Sequence, residues 1–169
     1  MKKIICVLLA LVMMLSLTAC GANGSYKAVV KTMVKSMEDC DAEKMLKLFP
    51  EEVMEILYEN YDDDIDELIE ELEDSLKDTM DYYEDEYGRN IKLSFEIDDA
   101  DELDEDELDD LMDNYYDYMD VDIEIKKAYE LEVELIIEGK KDDDSEDATM
   151  TVIKVGNKWY IDMFTFNPF

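Results

Sequence analysis

The sequence predicts an α+β fold in which N-terminal helices pack on a mostly antiparallel sheet. Apolar residues recur at steps of three and four from residue 26 to residue 87, which is the spacing of a helix face. After residue 90, apolar and polar residues alternate in several short runs, which is the spacing of a half-buried strand. A Gly-Asn pair at 156–157 separates the last two runs and indicates a two-residue hairpin. Helices followed by strands are typical of α+β architecture.

The helical half divides into three predicted helices. Ser25 can cap the first, whose apolar residues follow helical spacing. Asp41 is the predicted cap of a short second helix, and Pro50 fits the first turn of a third. The apolar stripe of the third helix continues to Gly88, which ends it. The aspartates at 62–64 are one place where this stripe could break.

The strand half begins at residues 91–97, where apolar and polar residues alternate. Residues 98–120 are acidic and permit a short helix. From residue 121 to residue 137 an alternating apolar series shares one parity, which Lys127 alone interrupts; its members are Val121, Ile123, Ile125, Tyr129, Leu131, Val133, Leu135 and Ile137. No Gly, Pro or Asn marks a tight turn in this run. It is therefore predicted to be either one long bent strand or two pieces joined by a bulge.

The end of the chain is predicted to form a hairpin. Residues 140–147 are expected to be an acidic loop, and residues 150–155 and 158–166 are expected to be the two strands. A two-residue turn between them places Val152 opposite Ile161.

The first twenty residues have the pattern of an export signal. Lys2 and Lys3 precede an apolar run from Ile4 to Leu17, which is followed by small residues and Cys20. The run of about 14 residues is shorter than the roughly 20 that a membrane-spanning helix needs. A retained transmembrane anchor and a soluble secreted protein are the alternatives.

The tetrad Leu17-Thr18-Ala19-Cys20 resembles the lipobox of bacterial lipoprotein precursors. This resemblance implies that residues 1–19 are a signal peptide that is removed, and that Cys20 carries the lipid, including palmitate. Residues 20–25 would then be a short tether. The protein would be anchored by two or more acyl chains, enough for lasting attachment, to the extracytoplasmic face of the bacterial cell membrane.

Charge limits the partners of the mature chain. Removing residues 1–19 leaves 14 basic against 48 acidic residues, a net charge of −34. Such a chain is not expected to bind nucleic acid, since that binding depends on lysine and arginine neutralising phosphate. The charge also predicts repulsion from an anionic membrane surface within a Debye length of about 8–10 Å. Weak binding of divalent cations or of a basic partner is the remaining electrostatic expectation.

Histidine and cysteine chemistry is limited as well. The chain has no histidine, which excludes imidazole as a base, nucleophile or metal ligand. With Cys20 linked to lipid, Cys40 has no disulfide partner in the mature chain. Asp39 and Asp41 flank Cys40 and disfavour a reactive thiolate. Cys40 is therefore predicted to be a small apolar filler at a helix–helix turn.

Two segments resemble the nuclear transport factor 2-like fold. They are Asp41-Ala42-Glu43-Lys44-Met45 and Lys154-Val155-Gly156-Asn157-Lys158-Trp159-Tyr160-Ile161-Asp162. The likeness is to the domains carried by small lipoproteins of Gram-positive bacteria. It implies a single domain over residues 26–169 in which a curved sheet wraps a long helix as a cone, sometimes with a ligand pocket. Residues 58–120 are longer and more acidic than is usual in that fold.

The sequence assigns no catalytic residue, no cofactor and no metal ligand. Some enzymes of that fold use carboxylates and tyrosines inside the cone, and a working base there needs burial. Asp162 has the opposite parity to Trp159 and Ile161, which places it outside the cone.

A calcium-loop pattern also lacks an essential residue. Asp62, Asp64, Asp66 and Glu73 have the required spacing, but Glu67 stands where the sharp turn requires glycine. The acidic run with Asp142, Asp143, Asp144 and Glu146 is expected to be a solvated loop.

The predicted function is a lipid-anchored binding or interaction module that carries out no chemistry. The alternative is a small-molecule pocket protein with isomerase- or hydrolase-like activity. A deep apolar cavity with a buried carboxylate beside a tyrosine would favour the alternative, and a filled cone would favour the binding module. The aromatic residues at the chain end are expected to be sheet core with a few half-exposed rings rather than a partner surface; they are Trp159, Tyr160, Phe164 and Phe166.

Overall fold

A computed structural model of the protein describes residues 23–60 and 65–166. The predicted signal peptide and the predicted lipid attachment site, Cys20, lie outside the described residues. The helices and strands, in chain order, are α1 (Tyr26–Asp39), α2 (Ala42–Leu46), α3 (Glu51–Asn60), α4 (Ile65–Tyr87), β1 (Lys92–Glu102), α5 (Glu105–Met119), β2 (Ile125–Glu138), β3 (Asp143–Val155) and β4 (Lys158–Ile161). None of the helices in this described part is both long and apolar enough to cross a bilayer.

The sheet confirms the α+β prediction. Its strands run antiparallel in the order β1-β2-β3-β4, and the sheet is curved. The predicted register of the last hairpin is also correct, because Val152 pairs with Ile161 and Lys154 with Trp159. Gly156 begins the connecting turn with a φ of +59°, a conformation that glycine adopts without strain.

Local capping explains where the first helices begin and end. The Ser25 hydroxyl accepts a hydrogen bond from the Ala28 N–H at 3.1 Å, and the Asp41 carboxylate accepts one from the Lys44 N–H at 3.0 Å. Gly88 ends α4 with a φ of +90°. The predicted break at 62–64 falls between α3 and α4 but lies outside the described residues.

The acidic segment after β1 contains a longer helix than the sequence predicted. Asp104 and Glu107 form a reciprocal capping box at the start of α5, and Asp120 ends the helix in a left-handed conformation. The helix has 15 residues, of which Leu111 and Tyr115 are buried. The helix therefore buries one side, which Leu108, Met112 and Met119 extend as partly buried side chains, while its remaining surface is mostly acidic.

A bulge in β2 resolves the two alternatives for residues 121–137. The pairing with β3 passes from Ile125 to Lys127, so Lys126 is the extra residue. Ile125 and Lys127 consequently face opposite sides of the sheet, although both have odd numbers. Val121 and Ile123 precede the strand and are buried on the same side as Ile125. The apolar residues before and after the bulge therefore lie on opposite faces of the sheet, although their numbers have the same parity.

The sheet is buried on both faces near β4. The inner face packs against α1–α4 and forms the larger core, whose strand residues are Leu131, Val133, Leu135, Ile137, Met150, Val152, Trp159 and Ile161. The outer face packs against α5 and forms a second core, with strand residues Ile125, Ala128, Ile153 and Tyr160. The outer core exists because the bulge returns Ile125 and Ala128 to the face that α5 covers.

Three strand boundaries differ from the sequence prediction. β1 continues to Glu102, although alternation predicted a strand only over residues 91–97. Residues 143–147 are not loop, because they pair with the far end of β2 as the start of β3. Two tyrosines of α4 hold this acidic stretch: Tyr83 donates to Glu146 and Tyr87 to Asp144, each at 3.1 Å. At the other end, β4 stops at Ile161 instead of continuing to residue 166, since the chain turns inward at Asp162.

Carboxylates face one another across the outer side of the sheet. Glu96 on β1 lies opposite Glu134 on β2, which in turn lies opposite Asp147 on β3. Asp99 and Glu132 form a further acidic pair. Directly opposed like charges destabilise a sheet, so this face works against folding.

Raising the ionic strength should therefore stabilise the fold. Between about 10 mM and about 1 M NaCl the Debye length falls from about 30 Å to about 3 Å, which removes most of this repulsion. We expect the melting temperature, followed by far-UV circular dichroism, to rise by roughly 5 °C, since about 1 kcal/mol moves a domain of this size by some 3–4 °C. Millimolar calcium should act in the same direction.

Two substitutions that each remove one negative charge provide the test variant and its matched control. Glu134→Gln should raise the melting temperature at low salt and reduce its salt dependence. Glu52→Gln, in the first turn of α3, should not raise it, because a carboxylate there complements the helix dipole. A melting temperature that does not change with salt would contradict the expectation.

Candidate binding groove

A groove of about 1070 Å³ opens on the helical side of the domain. It lies between α2, α3, the start of α4 and the turn that joins β3 to β4. Its apolar lining consists of Leu46, Phe49, Met54, Tyr58, Ile65 and Ile69. Its volume is at the upper end of the range for small-molecule sites, about 300–1,000 Å³.

Backbone hydrogen bonds hold the start of the domain at one end of this groove. The Trp159 N–H donates to the Asn23 carbonyl and the Ile161 N–H donates to the Leu48 carbonyl, both at 2.8 Å. These bonds cover the open edge of β4, which would otherwise be free to pair with another chain. They also place Asn23, Leu48 and β4 side by side, and Asn23 lines the groove.

The rim of the groove carries charges of both signs. Lys47 pairs with Glu43, and Lys158 with Glu51, in each case at 3.5 Å between nitrogen and oxygen. Tyr160 and Glu51 raise the pKa of Lys158, so its ammonium group stays charged at neutral pH. Glu55 is a further lining carboxylate. The exposed ion pairs contribute little to the stability of the fold. An apolar groove with a charged rim suits a largely apolar molecule that has a polar end.

A buried carboxylate–tyrosine pair lies elsewhere, in the outer core. Tyr115 of α5 donates its hydroxyl proton to Asp162 at 2.8 Å, and the Thr165 N–H donates to the other carboxylate oxygen at 3.0 Å. The Met163 N–H donates to the Tyr115 hydroxyl oxygen at 3.1 Å. Both side chains are completely buried. The pair therefore joins α5 to the turn after β4.

Asp162 lies on the outer face, as its parity predicted, but the sequence did not indicate its burial. Burial, reinforced by the Asp162 charge, raises the pKa of Tyr115 well above its usual value. The phenol therefore remains a proton donor to the carboxylate at any physiological pH. Neither residue lines the groove. The geometry gives this pair a structural role.

Cys40 lies where the sequence predicted an apolar filler. It ends α1 with a φ of +50° and packs, partly buried, against the larger core. Burial raises the pKa of its thiol, which disfavours the nucleophilic thiolate. The prediction for Cys40 is confirmed.

The closing aromatic residues are core and half-exposed rings, as predicted. Trp159 and Tyr160 are buried, whereas Phe164 is 43% exposed and packs on Tyr115 at 5.0 Å between ring centres. Phe166 packs edge-on against Phe49 at 5.2 Å. The four rings point to different surroundings and do not form one surface.

The acidic patterns do not form a metal site in the described part of the chain. Asp66 and Glu73 lie within α4, together with Glu67 at the position that would need glycine, whereas Asp62 and Asp64 lie outside the described residues. Residues 142–146 belong to the turn and strand that start β3. Among residues 23–60 and 65–166, no group of three or more Asp, Glu or Cys side chains is placed to hold a metal ion.

The groove residues were not identified from the sequence. Met54, Tyr58 and Ile69 fall outside the apolar stripe that predicted the third helix. A signal was present, because Met54 and Tyr58, and likewise Ile65 and Ile69, are four residues apart and share a helix face. These pairs form a second apolar face on α3 and α4.

No protein-family model, curated protein or solved structure matches this chain.

Proposed function

We propose that this protein is a lipid-anchored binding module of the extracytoplasmic face of the bacterial membrane, with a nuclear transport factor 2-like domain. Its groove takes the ligand, and no chemistry is required. The observation that carries the proposal is the position of the groove, which opens beside Asn23, where the described domain begins.

Chain geometry connects the groove to the anchor. Three residues separate Cys20 from Asn23, and an extended chain spans at most about 3.3–3.6 Å per residue. A lipid on Cys20 would therefore hold the groove within about 10 Å of the membrane surface. A ligand would be bound next to the bilayer.

The chemistry of the lining supports a mainly apolar ligand. Six apolar side chains line the groove, and its charged residues lie at the rim. Burial of an apolar molecule there would contribute about 25 cal/mol per Å² of surface removed from water. The two rim lysines and their carboxylate partners would orient a polar end.

The alternative, a pocket enzyme of isomerase or hydrolase type, has less support. It needs a buried carboxylate beside a tyrosine at a cavity, since burial is what brings the pKa of a carboxylate towards neutrality. Glu51 and Glu55 line the groove together with Tyr58, but both carboxylates are exposed to solvent. The buried pair, Asp162 and Tyr115, is enclosed in the outer core and bonded within the pair and to backbone N–H groups.

Filling the groove should remove the ligand. Ile69→Trp adds bulk at a half-buried lining position on α4, where the larger side chain can extend into the groove without entering the core. We expect native mass spectrometry of the wild-type protein, purified from its own cells, to show a bound small molecule. The Trp variant should carry at least tenfold less of it.

The matched control is Ile69→Leu, which changes shape but not volume and should keep the bound molecule. Circular dichroism melting establishes that both variants are folded. Equal adduct in the Trp and Leu variants, or a wild-type protein with no bound molecule, would contradict ligand binding in the groove.

A further inference from the structure

We propose that a lysine and aromatic patch beside the tether binds the anionic phospholipid headgroups of the membrane that holds the anchor. The inference rests on the proposed lipid anchor, which brings this patch to the bilayer. The patch, called the tether patch below, consists of Tyr26, Lys27, Lys127, Tyr129, Lys154 and Trp159.

Charge is segregated along the chain in a way that the net charge conceals. All 48 acidic residues lie after residue 37, and none lies between Asp147 and Asp162. These two acid-free segments carry several lysines, among them Lys27 on α1 and Lys154 on β3. The fold brings both segments to the same end of the sheet, next to Lys127 of β2.

Three rings lie at the centre of the tether patch: Tyr26 and Tyr129 are half-buried, and Trp159 lies beneath them with 8% of its surface exposed. The ring centre of Tyr26 lies 5.1 Å from that of Tyr129 and 5.9 Å from that of Trp159. Tyr129 and Trp159 are 5.6 Å apart. Tyrosine and tryptophan are the side chains that favour the headgroup level of a bilayer, where one end of the ring is apolar and the other polar.

A lysine ammonium group lies near each ring. Lys127 Nζ is 4.9 Å from the centre of Tyr129, Lys154 Nζ is 5.8 Å from that of Trp159, and Lys27 Nζ is 5.8 Å from that of Tyr26. Glu102 pairs with Lys127 at 2.8 Å and offsets one of the three charges. The tether patch thus keeps a net positive charge in a strongly acidic protein.

Two of these lysines face each other across the sheet. Lys127 on β2 pairs directly with Lys154 on β3, on the inner face. Like charges in this arrangement destabilise a sheet. The pairing is also unexpected by composition, because the chain has 48 acidic residues and only 16 basic ones. Glu102 already offsets the charge of Lys127, so an anion beside Lys154 would relieve the repulsion that remains.

The tether patch is also where the described chain begins. The Trp159 N–H donates to the Asn23 carbonyl at 2.8 Å, so the last tether residues leave from the edge of the patch. Cys20 is three residues further towards the N-terminus, within about 10 Å in extended chain. The anchor therefore presents this end of the domain to the lipid.

The opposed carboxylates of the sheet lie on its outer face, whereas the lysines of the tether patch on β2 and β3 lie on the inner face. The nearest acidic pair, Asp101 and Glu130, is three residues along β2 from Lys127, about 10 Å at roughly 3.3 Å per residue, and Glu134 is about 23 Å away. The nearer distance is about one Debye length and the further one exceeds two. The net charge would thus repel the far end of the domain, whereas the tether patch attracts the near end.

The single tryptophan reports directly on the proposed contact. The acylated mature protein, purified from its own cells, would be placed in vesicles with phosphatidylglycerol or with phosphatidylcholine alone, each containing nitroxide-headgroup lipid. We expect stronger quenching of Trp159 fluorescence in the anionic vesicles than in the neutral ones, in which only the tether holds the domain near the surface. About 1 M NaCl should abolish the difference, because it screens the charges.

The test variant is Lys27→Ala with Lys154→Ala. Each lysine near an anionic surface contributes about fivefold to binding, so the equilibrium constant for the seated orientation should fall about 25-fold. The control, Lys140→Ala with Lys141→Ala, removes the same charge at the turn between β2 and β3 and should quench like wild type. Melting curves establish folding, and Lys27→Ala alone, on the exposed side of α1, replaces any pair that does not fold.

The outcomes separate the two proposals. Equal quenching in anionic and neutral vesicles, or equal loss in the test and control variants, would overturn the tether patch. A native protein whose mass shows no lipid would overturn the anchor instead. In that case, co-sedimentation of the same unacylated protein with phosphatidylglycerol vesicles still tests the patch, and failure to sediment would overturn it.

Discussion

Replacing Cys20 by alanine should transfer nearly all of the protein from the membrane fraction to the soluble fraction or leave it as uncleaved precursor. It should also abolish incorporation of labelled palmitate. Each buried methylene of an acyl chain contributes about 0.8 kcal/mol to membrane attachment, so loss of two or more chains removes far more than any contact of the folded domain can replace. Fractionation, palmitate labelling and the mass of the mature chain measure the effect.

Cys40→Ala is the matched control for this experiment. Cys40 packs against the larger core at the end of α1, so its replacement should leave palmitate labelling and fractionation as in wild type. A Cys20→Ala protein that still carries palmitate and remains in the membrane fraction would contradict lipid attachment at Cys20. Loss of labelling in both variants would point to a general processing defect.

Asp162→Ala should destabilise the domain by about 3 kcal/mol, although the residue has no assigned chemistry. The substitution leaves the buried Tyr115 hydroxyl without its acceptor, which costs about 1–3 kcal/mol, and it also removes the acceptor of the partly buried Thr165 N–H. Urea unfolding at neutral pH measures the free energy of unfolding. The melting temperature should fall by roughly 10 °C.

A double-mutant cycle with Tyr115→Phe tests the bond itself. Each single variant should be destabilised, and the double variant should lose less than the sum of the two, since the hydroxyl and the carboxylate lose the same interaction. Tyr118→Phe, at a position 77% exposed on the same helix, is the control and should differ little from wild type. Strict additivity, or an Asp162→Ala protein as stable as wild type, would exclude a stabilising hydrogen bond between α5 and the turn after β4.

Sequence reasoning worked where the physical cause is local. The caps at Ser25 and Asp41 act within three residues of themselves, and Gly88 ends α4 because glycine tolerates its positive φ. The hairpin register follows from a two-residue turn at Gly156. In each case the residue and its partner are adjacent in the sequence, so the pattern can be read without the fold.

The same reasoning was wrong at residues 143–147. Their composition is that of a loop, since Asp and Ser are poor strand formers. The strand forms because β2 supplies the pairing and Tyr83 and Tyr87 supply donors to Glu146 and Asp144. Those partners lie up to 63 residues away in the chain.

Residue type and spacing alone were enough to derive the fold class, the caps and the hairpin, and they also predict the export signal and Cys20. The face of β2 that each residue joins follows only from the folded chain, since one extra residue at Lys126 inverts the parity. The burial of Asp162, the groove beside α3 and α4, and the meeting of lysines from three separate segments beside the tether also follow only from the fold. These features depend on contacts between distant segments, and the local pattern of residues does not indicate which segments come into contact.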